Sequence, residues 1–323
     1  MALASNPDNI RFNGTGRSYF GAVGGTSFDD FGELDKMAFS MKVTTESLKS
    51  TRNAAKATIL EADKDREASL TFGLREMTMA NLAMALLGAA INTANQAASY
   101  VYQTTKAWVA DLYIDTGHLN VFSTKLSHGT VTNGPFTIGL TVTGGTSATT
   151  GQIAFVGTGF VEVVHVTGGT GVFVAGEVIT STTISATLSG VEVLDDVVIV
   201  STAGATRRVQ GTDYTLDPDY GYIRRISTGG VLDTDKLSYD YAAVSKQYIW
   251  GMSAGSVEKK LIFVADKDDL GPRQRWTFHR CKISLNGDFP LLGEGAQVLQ
   301  ITATVLADTT QASGQEYYKT EVM

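Results

Sequence analysis

Residues 67–75 read EASLTFGLR, and the alternation in this short run decides the fold. Ala68, Leu70, Phe72 and Leu74 are apolar, while Glu67, Ser69, Thr71, Gly73 and Arg75 between them are polar or small. Successive side chains of a strand point to opposite faces, so a period of two marks a half-buried β-strand. MAFSMKV, residues 37–43, has the same period: Met37, Phe39, Met41 and Val43 against Ala38, Ser40 and Lys42. The closing run VLQITATVLAD, residues 298–308, repeats it with Leu299, Ile301, Ala303 and Val305 against Gln300, Thr302 and Thr304. Strands with one wet face belong to antiparallel sheets.

One segment breaks the period. In TMANLAMALLG, residues 78–88, Thr78 is placed to N-cap a helix, Met79, Leu82, Ala83 and Leu86 form a stripe, and Gly88 ends it. Further strand-like runs follow at SYVYQTT, WVADLYI, DDVVIVS, KLSYDYAA, KKLIFVAD and RWTFHRCKISL. Many strands and one helix predict a mainly β protein, an antiparallel sandwich or barrel with one flanking α-helix.

Charge is unevenly spread. No lysine or arginine occurs between Lys125 and Arg207, and the only acids there are Glu162, Glu177, Glu192, Asp195 and Asp196. The stretch is rich in Gly, Thr and Val and holds a faint repeat. FTIGLTVTGGTSAT (136–149) aligns with FVAGEVITSTTISAT (173–187) at Phe136/Phe173, Gly139/Gly176 and Thr143/Thr180, and after a one-residue slip at Ser147/Ser185. Two similar hairpins in a small β domain are expected, inserted at residues 127–193 between a first part, 1–126, and a second part, 194–323.

Composition excludes several function classes. The chain has 323 residues, 43% of them hydrophobic, and a net charge of −7. That suits a packed core and speaks against a basic surface gripping phosphates. The one cysteine, Cys281, lies in an apolar run and reads as a buried small hydrophobe in a protein matured in a reducing cytoplasm. MALASNPDNIRFNG lacks the apolar core of a signal peptide, and LAMALLGAAI, residues 82–91, is too short to span a bilayer.

Catalytic signatures are missing too. His118, His128, His165 and His279 stand in no metal-ligand spacing, and GGTGVFVAGE lacks the lysine and following helix of a phosphate loop. EADKDRE and ADKDDLGPR read as solvated loops rather than calcium loops. The densest cluster is GTDYTLDPDYGYIRRI, residues 211–226, with three aspartates, three tyrosines and two arginines. Asp217-Pro218-Asp219-Tyr220-Gly221 is turn chemistry, and Tyr214, Leu216, Tyr222, Ile223 and Ile226 are strand formers, so a hairpin is expected. No catalytic residue, cofactor or metal is assigned, and the chain is not read as an enzyme. Between the first two strands lies TRNAAKATILEADKDRE, residues 51–67, polar and without strand pattern. It reads as a long loop, and long loops are functional or mobile.

The order of these phrases resembles the tail tube (major tail) proteins of long-tailed bacteriophages with non-contractile tails. The phrases are GELDKMAFSMKV, a strand ending in REMT, TMANLAMALLG, GTDYTLDPDYGYIRRI, SYDYAA and FHRCKISLNGDFPLLGEGAQVLQITATVLAD. They cover residues 14–125 and 194–310, and the charge-poor insert is the departure. The resemblance implies a β-sandwich with a flanking helix, six copies of which join their sheets into a ring with an inner barrel. Rings stack into a tube around a tape-measure protein, with tail tip and terminator proteins at its ends, and genomic DNA passes down the bore without specific binding. It places the protein in the virion, made in the host bacterial cytoplasm and independent of membranes.

On that reading Arg52, Lys56, Glu61, Asp63, Lys64, Asp65 and Arg66 are the candidate contacts between rings or subunits. Ser40, Lys42, Ser69, Thr71 and Arg75 are the candidate lumen-facing positions, and the insert decorates the exterior. A net acidic chain suits a channel through which DNA slides. The alternative is a cell-surface or glycan-binding β module carried on a virion, motivated by the Gly/Thr-rich insert.

Overall fold

The alternating runs fold as strands. A computed structural model describes residues 14–52, 56, 58–88, 90–266, 273–289, 291–292 and 297–322. In chain order the elements begin with β1 (Gly16–Gly21), β2 (Phe28–Asp30), β3 (Leu34–Lys49), β4 (Thr58–Leu74), α1 (Met79–Ala85) and β5 (Ile91–Gln96). Then come β6 (Ser99–Thr105), β7 (Tyr113–Asp115), β8 (Val121–His128), β9 (Thr141–Gly144), β10 (Thr150–Gly157), β11 (Phe160–Thr167), β12 (Val178–Ser181) and β13 (Ile184–Leu194). After them follow β14 (Val198–Val200), β15 (Tyr214–Asp217), β16 (Tyr222–Arg225), β17 (Lys236–Tyr241) and β18 (Val244–Ile249). The chain closes with β19 (Val257–Ala265), β20 (Gln274–Leu285), β21 (Leu299–Val305) and β22 (Tyr318–Val322). The protein is mainly β, its paired strands are antiparallel, and α1 is the one helix among the described residues.

The chain forms two compact units. One comprises Met1–Thr93 and Gln247–Met323, and the other Ala94–Lys246. The inserted part is therefore wider than the charge-poor stretch 127–193. Composition changes at the edges of that stretch, but β6, β14 and β17, of ordinary composition, pair into the same sheet as the strands it contains. The hairpin of residues 211–226, expected to resume the first unit, belongs to the second. The two crossings fall within β5 and β18, which pair with each other.

In the first unit the strand order is β2-β1-β19-β20-β21-β4-β3, with β22 also on β20. β20 serves two neighbours along its length: Gln274–Phe278 pairs with β22, and Cys281–Leu285 pairs with β21. A register shift against β19 falls at the join, between Lys259 and Leu261, and such bulges bend a strand. The sheet thus folds over one core, in which Leu70, Phe72, Leu74, Phe278, Cys281, Ile283, Leu299, Ile301 and Ala303 are buried. Phe39 of β3 packs its ring 5.8, 5.3 and 5.2 Å from those of Trp276, Phe278 and Tyr318. Each large side chain buried this way contributes roughly 1.5–3 kcal/mol. Burial pushes the Cys281 thiol up to about 12, so it is the inert hydrophobe its surroundings suggested.

Thr78 caps α1 as expected, accepting from the Asn81 amide at 3.1 Å. The buried stripe differs from the anticipated one: Asn81, Met84 and Ala85 face inward, while Met79, Leu82, Ala83 and Leu86 are half-buried. Asn81 decides the rotation, because its Nδ2 donates to the carbonyls of Phe31 at 2.9 Å and Glu76 at 3.0 Å. A polar side chain that satisfies two backbone carbonyls is stable inside.

In the second unit the strands of the charge-poor stretch close on β8, which leads into it. The strands run β8-β11-β10-β9-β12-β13 and back to β8, a six-stranded antiparallel barrel. The sequence repeat is its symmetry: Thr143 and Thr180 are direct partners across β9 and β12. Gly139 and Gly176 take φ of +93° and +89°, and their amides donate to Ile153 and Leu188 carbonyls, both at 2.9 Å. Phe136 and Phe173, the repeat's first residues, lie together in the barrel core. Closure removes the exposed edges an open sheet of this length would carry.

Glu162, Glu177 and Asp196 of this stretch find partners. Arg207 bonds Glu162 at 2.5 Å and Asp196 at 2.9 Å, and Tyr214 donates to Asp196 at 2.6 Å. Glu177 accepts from the amides of Thr146, Ser147 and Val174 and from the Ser147 hydroxyl. Burial alone would push the Glu177 carboxyl up, but these bonds hold it below the usual carboxylate range.

Candidate assembly surface

β3 and β4 stay paired well past the core. From Lys42 to Lys49 and from Thr58 to Glu67 every side chain described is exposed, yet the register continues to Leu48↔Leu60 and Lys49↔Thr58. The result is a two-stranded arm of about eight residue pairs, roughly 26 Å at ~3.3 Å per residue. The loop expected at residues 51–67 is thus mostly strand. Both faces of the arm are wet, so no apolar alternation is imposed on it, and the strand left no periodic mark.

The seven residues expected to make contacts distribute along this arm. Glu61, Asp63, Lys64, Asp65 and Arg66 are in β4, and Arg52 and Lys56 are in the turn region, where residues 53–55 and 57 lie outside the described set. Lys64 pairs with Glu46 at 3.7 Å, Arg66 with Asp63 at 3.1 Å, and Thr45 donates to Glu61 at 3.1 Å. Pairs this exposed are worth little and leave the arm's charges open to a partner. Met41 and Val43, expected on the buried face of their strand, are exposed because β3 runs past the core there, and sequence reasoning missed Leu48, Ile59 and Leu60; all five are more than half exposed. TIL, residues 58–60, was the available signal.

Four of the five expected lumen-facing residues share a surface. Ser40 pairs with Ser69, Ser69 with Thr304 and Thr304 with Lys282; one step along, Ala38, Thr71, Thr302 and Ser284 form the next row. Lys42 opposite Glu67 extends the same face. It is the outer face of β3-β4-β21-β20, opposite Leu70, Phe72, Ile301 and Ala303. Arg75 lies beyond the end of β4 and is held by Asp35 at 2.5 Å. Thr302, Thr304, Ser284 and Lys282 complete the face, and the alternation in residues 299–305 was the signal for the two threonines. With Lys42 and Lys282 against Glu67, the face is near neutral rather than acidic.

The remaining expectations fall elsewhere. Residues 211–226 form the hairpin, with Gly221 at φ +65° in its turn and Asp217 accepting from the Tyr220 amide at 3.3 Å. Arg224 reaches Asp111 of its own chain at 3.2 Å, and Arg225 the Trp108 carbonyl at 3.3 Å. Residues 1–13, 267–272, 290 and 293–296 lie outside the described set, and with them parts of the ADKDDLGPR and GDFPLLGEG phrases. No helix among the described residues is long and apolar enough to cross a membrane.

A family described as Protein of unknown function UCP028589 matches residues 161–319. The matched stretch begins in β11, runs through the rest of the second unit and continues into β22. No curated protein matches the chain.

Proposed function

We propose that this chain is a structural virion protein, the subunit of a phage tail tube of the long non-contractile type. Copies join as hexameric rings that stack into a tube around a tape-measure protein, with tail tip and terminator proteins at the ends, and genomic DNA traverses the bore. The observation that carries this reading is β3. It ends the sheet of the first unit, and among the described residues its outer side has no strand partner over 16 residues. A long unpaired edge is a template for another chain, and closed rings of identical subunits use such edges.

The arm supports the same reading. A lone two-stranded ribbon is marginal in water, and this one exposes five large apolar side chains. Covering each recovers on the order of 1 kcal/mol, since each is only partly free already. The small polar face of Ser40, Ser69, Thr71, Thr302 and Thr304 offers no row of cations to hold phosphates, which suits DNA in transit.

Negative-stain electron microscopy and sedimentation of the purified chain, over rising concentration, test the proposal. Rings or tubes are expected. A second protein, with residues 46–62 replaced by Asn-Gly, is expected to keep its thermal midpoint and lose stacking. A full-length chain that stays monomeric at every concentration overturns the reading.

A further inference from the structure

The hairpin of residues 211–226 builds an exposed sheet face in the second unit. β15, β16 and β7 form a three-stranded sheet with Leu216, Ile223 and Ile114 in one row and Asp217, Tyr222 and Asp115 in the next. Ile223 is fully buried, with Leu216 and Ile114 packed against the same core, so the alternate rows face outward. The outward rows are Asp217–Tyr222–Asp115 and Thr215–Arg224–Tyr113.

Three tyrosines stand on this face or at its end with wet rings: Tyr113 at 65% exposure, Tyr220 at 59% and Tyr222 at 41%. Tyr220 and Tyr222 lie nearly parallel, 14° apart with centroids at 6.0 Å. A depression of about 490 Å³ is lined by Tyr113, Asp115, Thr215, Leu216, Asp217 and Tyr222. Asp115 accepts from the Gly117 amide at 2.7 Å through Oδ1, and Asp217 from the Tyr220 amide through Oδ1. The loops thus fix both carboxylates while leaving each Oδ2 with no partner among the described residues. Arg224 is held by Asp111 and lies 5.9 Å from the Tyr113 ring.

We propose that this platform binds a neutral oligosaccharide. A pyranose ring has an apolar C–H face, which packs on an exposed aromatic ring, and a rim of hydroxyl donors, which fixed carboxylate oxygens accept. Tyr222 flanked on both sides by aspartates presents that combination in one row, and Tyr113 extends the stacking surface to a second ring. Apolar stacking area with a few placed polar groups is the general composition of a ligand site. The two open carboxylates repel phosphates and acidic sugars, which selects a neutral glycan over nucleic acid or a sialylated one. The site lies outside the Gly/Thr-rich residues 127–193, and it does not depend on the tube reading.

The test titrates the full chain with maltotriose, cellotriose, mannotriose and N-acetylated chitotriose, and with sialyllactose as the anionic control. Saturation-transfer NMR and calorimetry are the readouts. At least one neutral trisaccharide is expected to bind with a Kd of about 1 mM or tighter, and sialyllactose to bind none. Tyr222→Ala and Tyr113→Ala are each expected to weaken that binding about tenfold, and Asp217→Asn to weaken it with the rings intact. Thermal midpoints should not move, because these side chains are exposed. Absence of saturation by every neutral sugar, equal binding of sialyllactose, or unchanged affinity in Tyr222→Ala overturns the proposal.

Discussion

Replacing Arg207 with alanine strips the hydrogen-bonded cation from a buried carboxylate and leaves only the more distant Lys125 charge among the described residues. The Arg207 side chain is 15% exposed, Glu162 4% and Asp196 14%. Asp196 keeps the Tyr214 hydroxyl, but Glu162 loses its one side-chain hydrogen-bond donor among the described residues. Breaking a buried pair from one side costs about 3–5 kcal/mol, because the remaining charge is neither solvated nor matched. At about 2–4 °C per kcal/mol for a unit of this size, the transition of the second unit falls by roughly 6–20 °C. Differential scanning calorimetry of the full chain reads this directly.

The pH dependence separates a stranded charge from lost packing. Burial already pushes the Glu162 carboxyl above its ordinary range, and Arg207 opposes that shift. Without the arginine the folded-state value rises further. A group raised on folding stabilises when protonated, below its unfolded value, and that contribution is lost as pH rises through the folded value. The deficit of Arg207→Ala is therefore expected to shrink as pH falls toward about 4.3 and to be complete at neutral pH. Glu162→Gln in the same background should recover most of it at pH 7. A loss below about 1 kcal/mol, or an equal loss at both pH values, refutes the argument.

Two further outcomes follow from buried polar groups. Asn81→Ala leaves the Phe31 and Glu76 carbonyls without their donor and should cost about 1–3 kcal/mol in denaturant unfolding, which checks that Asn81 sets the rotation of α1. Asp240 is 5% exposed and its carboxyl is raised to about 6 by burial, against the His165 and Val166 amides that oppose it. Protonated Asp240 thus stabilises at acid pH and the gain is lost as pH rises through about 6, so Asp240→Asn should flatten the stability profile between acid and neutral pH by about 3 kcal/mol.

Strand periodicity was legible wherever one face was buried. β4 and β21 announced themselves because Leu70, Phe72, Ile301 and Ala303 had to be apolar and their neighbours did not. The barrel was legible as a repeat, since Gly139 and Gly176 fill the same positive-φ position and Phe136 and Phe173 the same core. The outer half of the β3–β4 arm was not, because exposure on both faces removes the constraint that writes a pattern. The unit boundaries were not legible either. β5 and β18 have no composition shift, and what assigns residues 211–226 to the second unit is pairing of β16 with β7, a strand about a hundred residues earlier. The same pairing makes the tyrosine platform. Tyr113 and Asp115 look unremarked in sequence until register sets them beside Arg224 and Tyr222.

Edge length bears on the proposed assembly in each unit separately. In the second unit the barrel closes on itself, and the sheet carrying the tyrosines has strands of three and four residues, too short to template a neighbour. In the first unit, β2 at one end of the sheet has three residues and β3 at the other has 16. A β3–β3 pairing across a two-fold axis would bury the long edge and stop at a dimer, so the proposed ring requires a heterologous contact, in which one copy's β3 meets a different surface of the next. Heterologous contacts close into rings or run on as filaments, according to the rotation each step imposes. On that proposal the strands of the charge-poor stretch must not compete with β3 for the neighbouring copy. Barrel closure pairs both sides of β9 to β13, and it explains why residues 127–193 tolerate a sequence so rich in strand-forming Val and Thr.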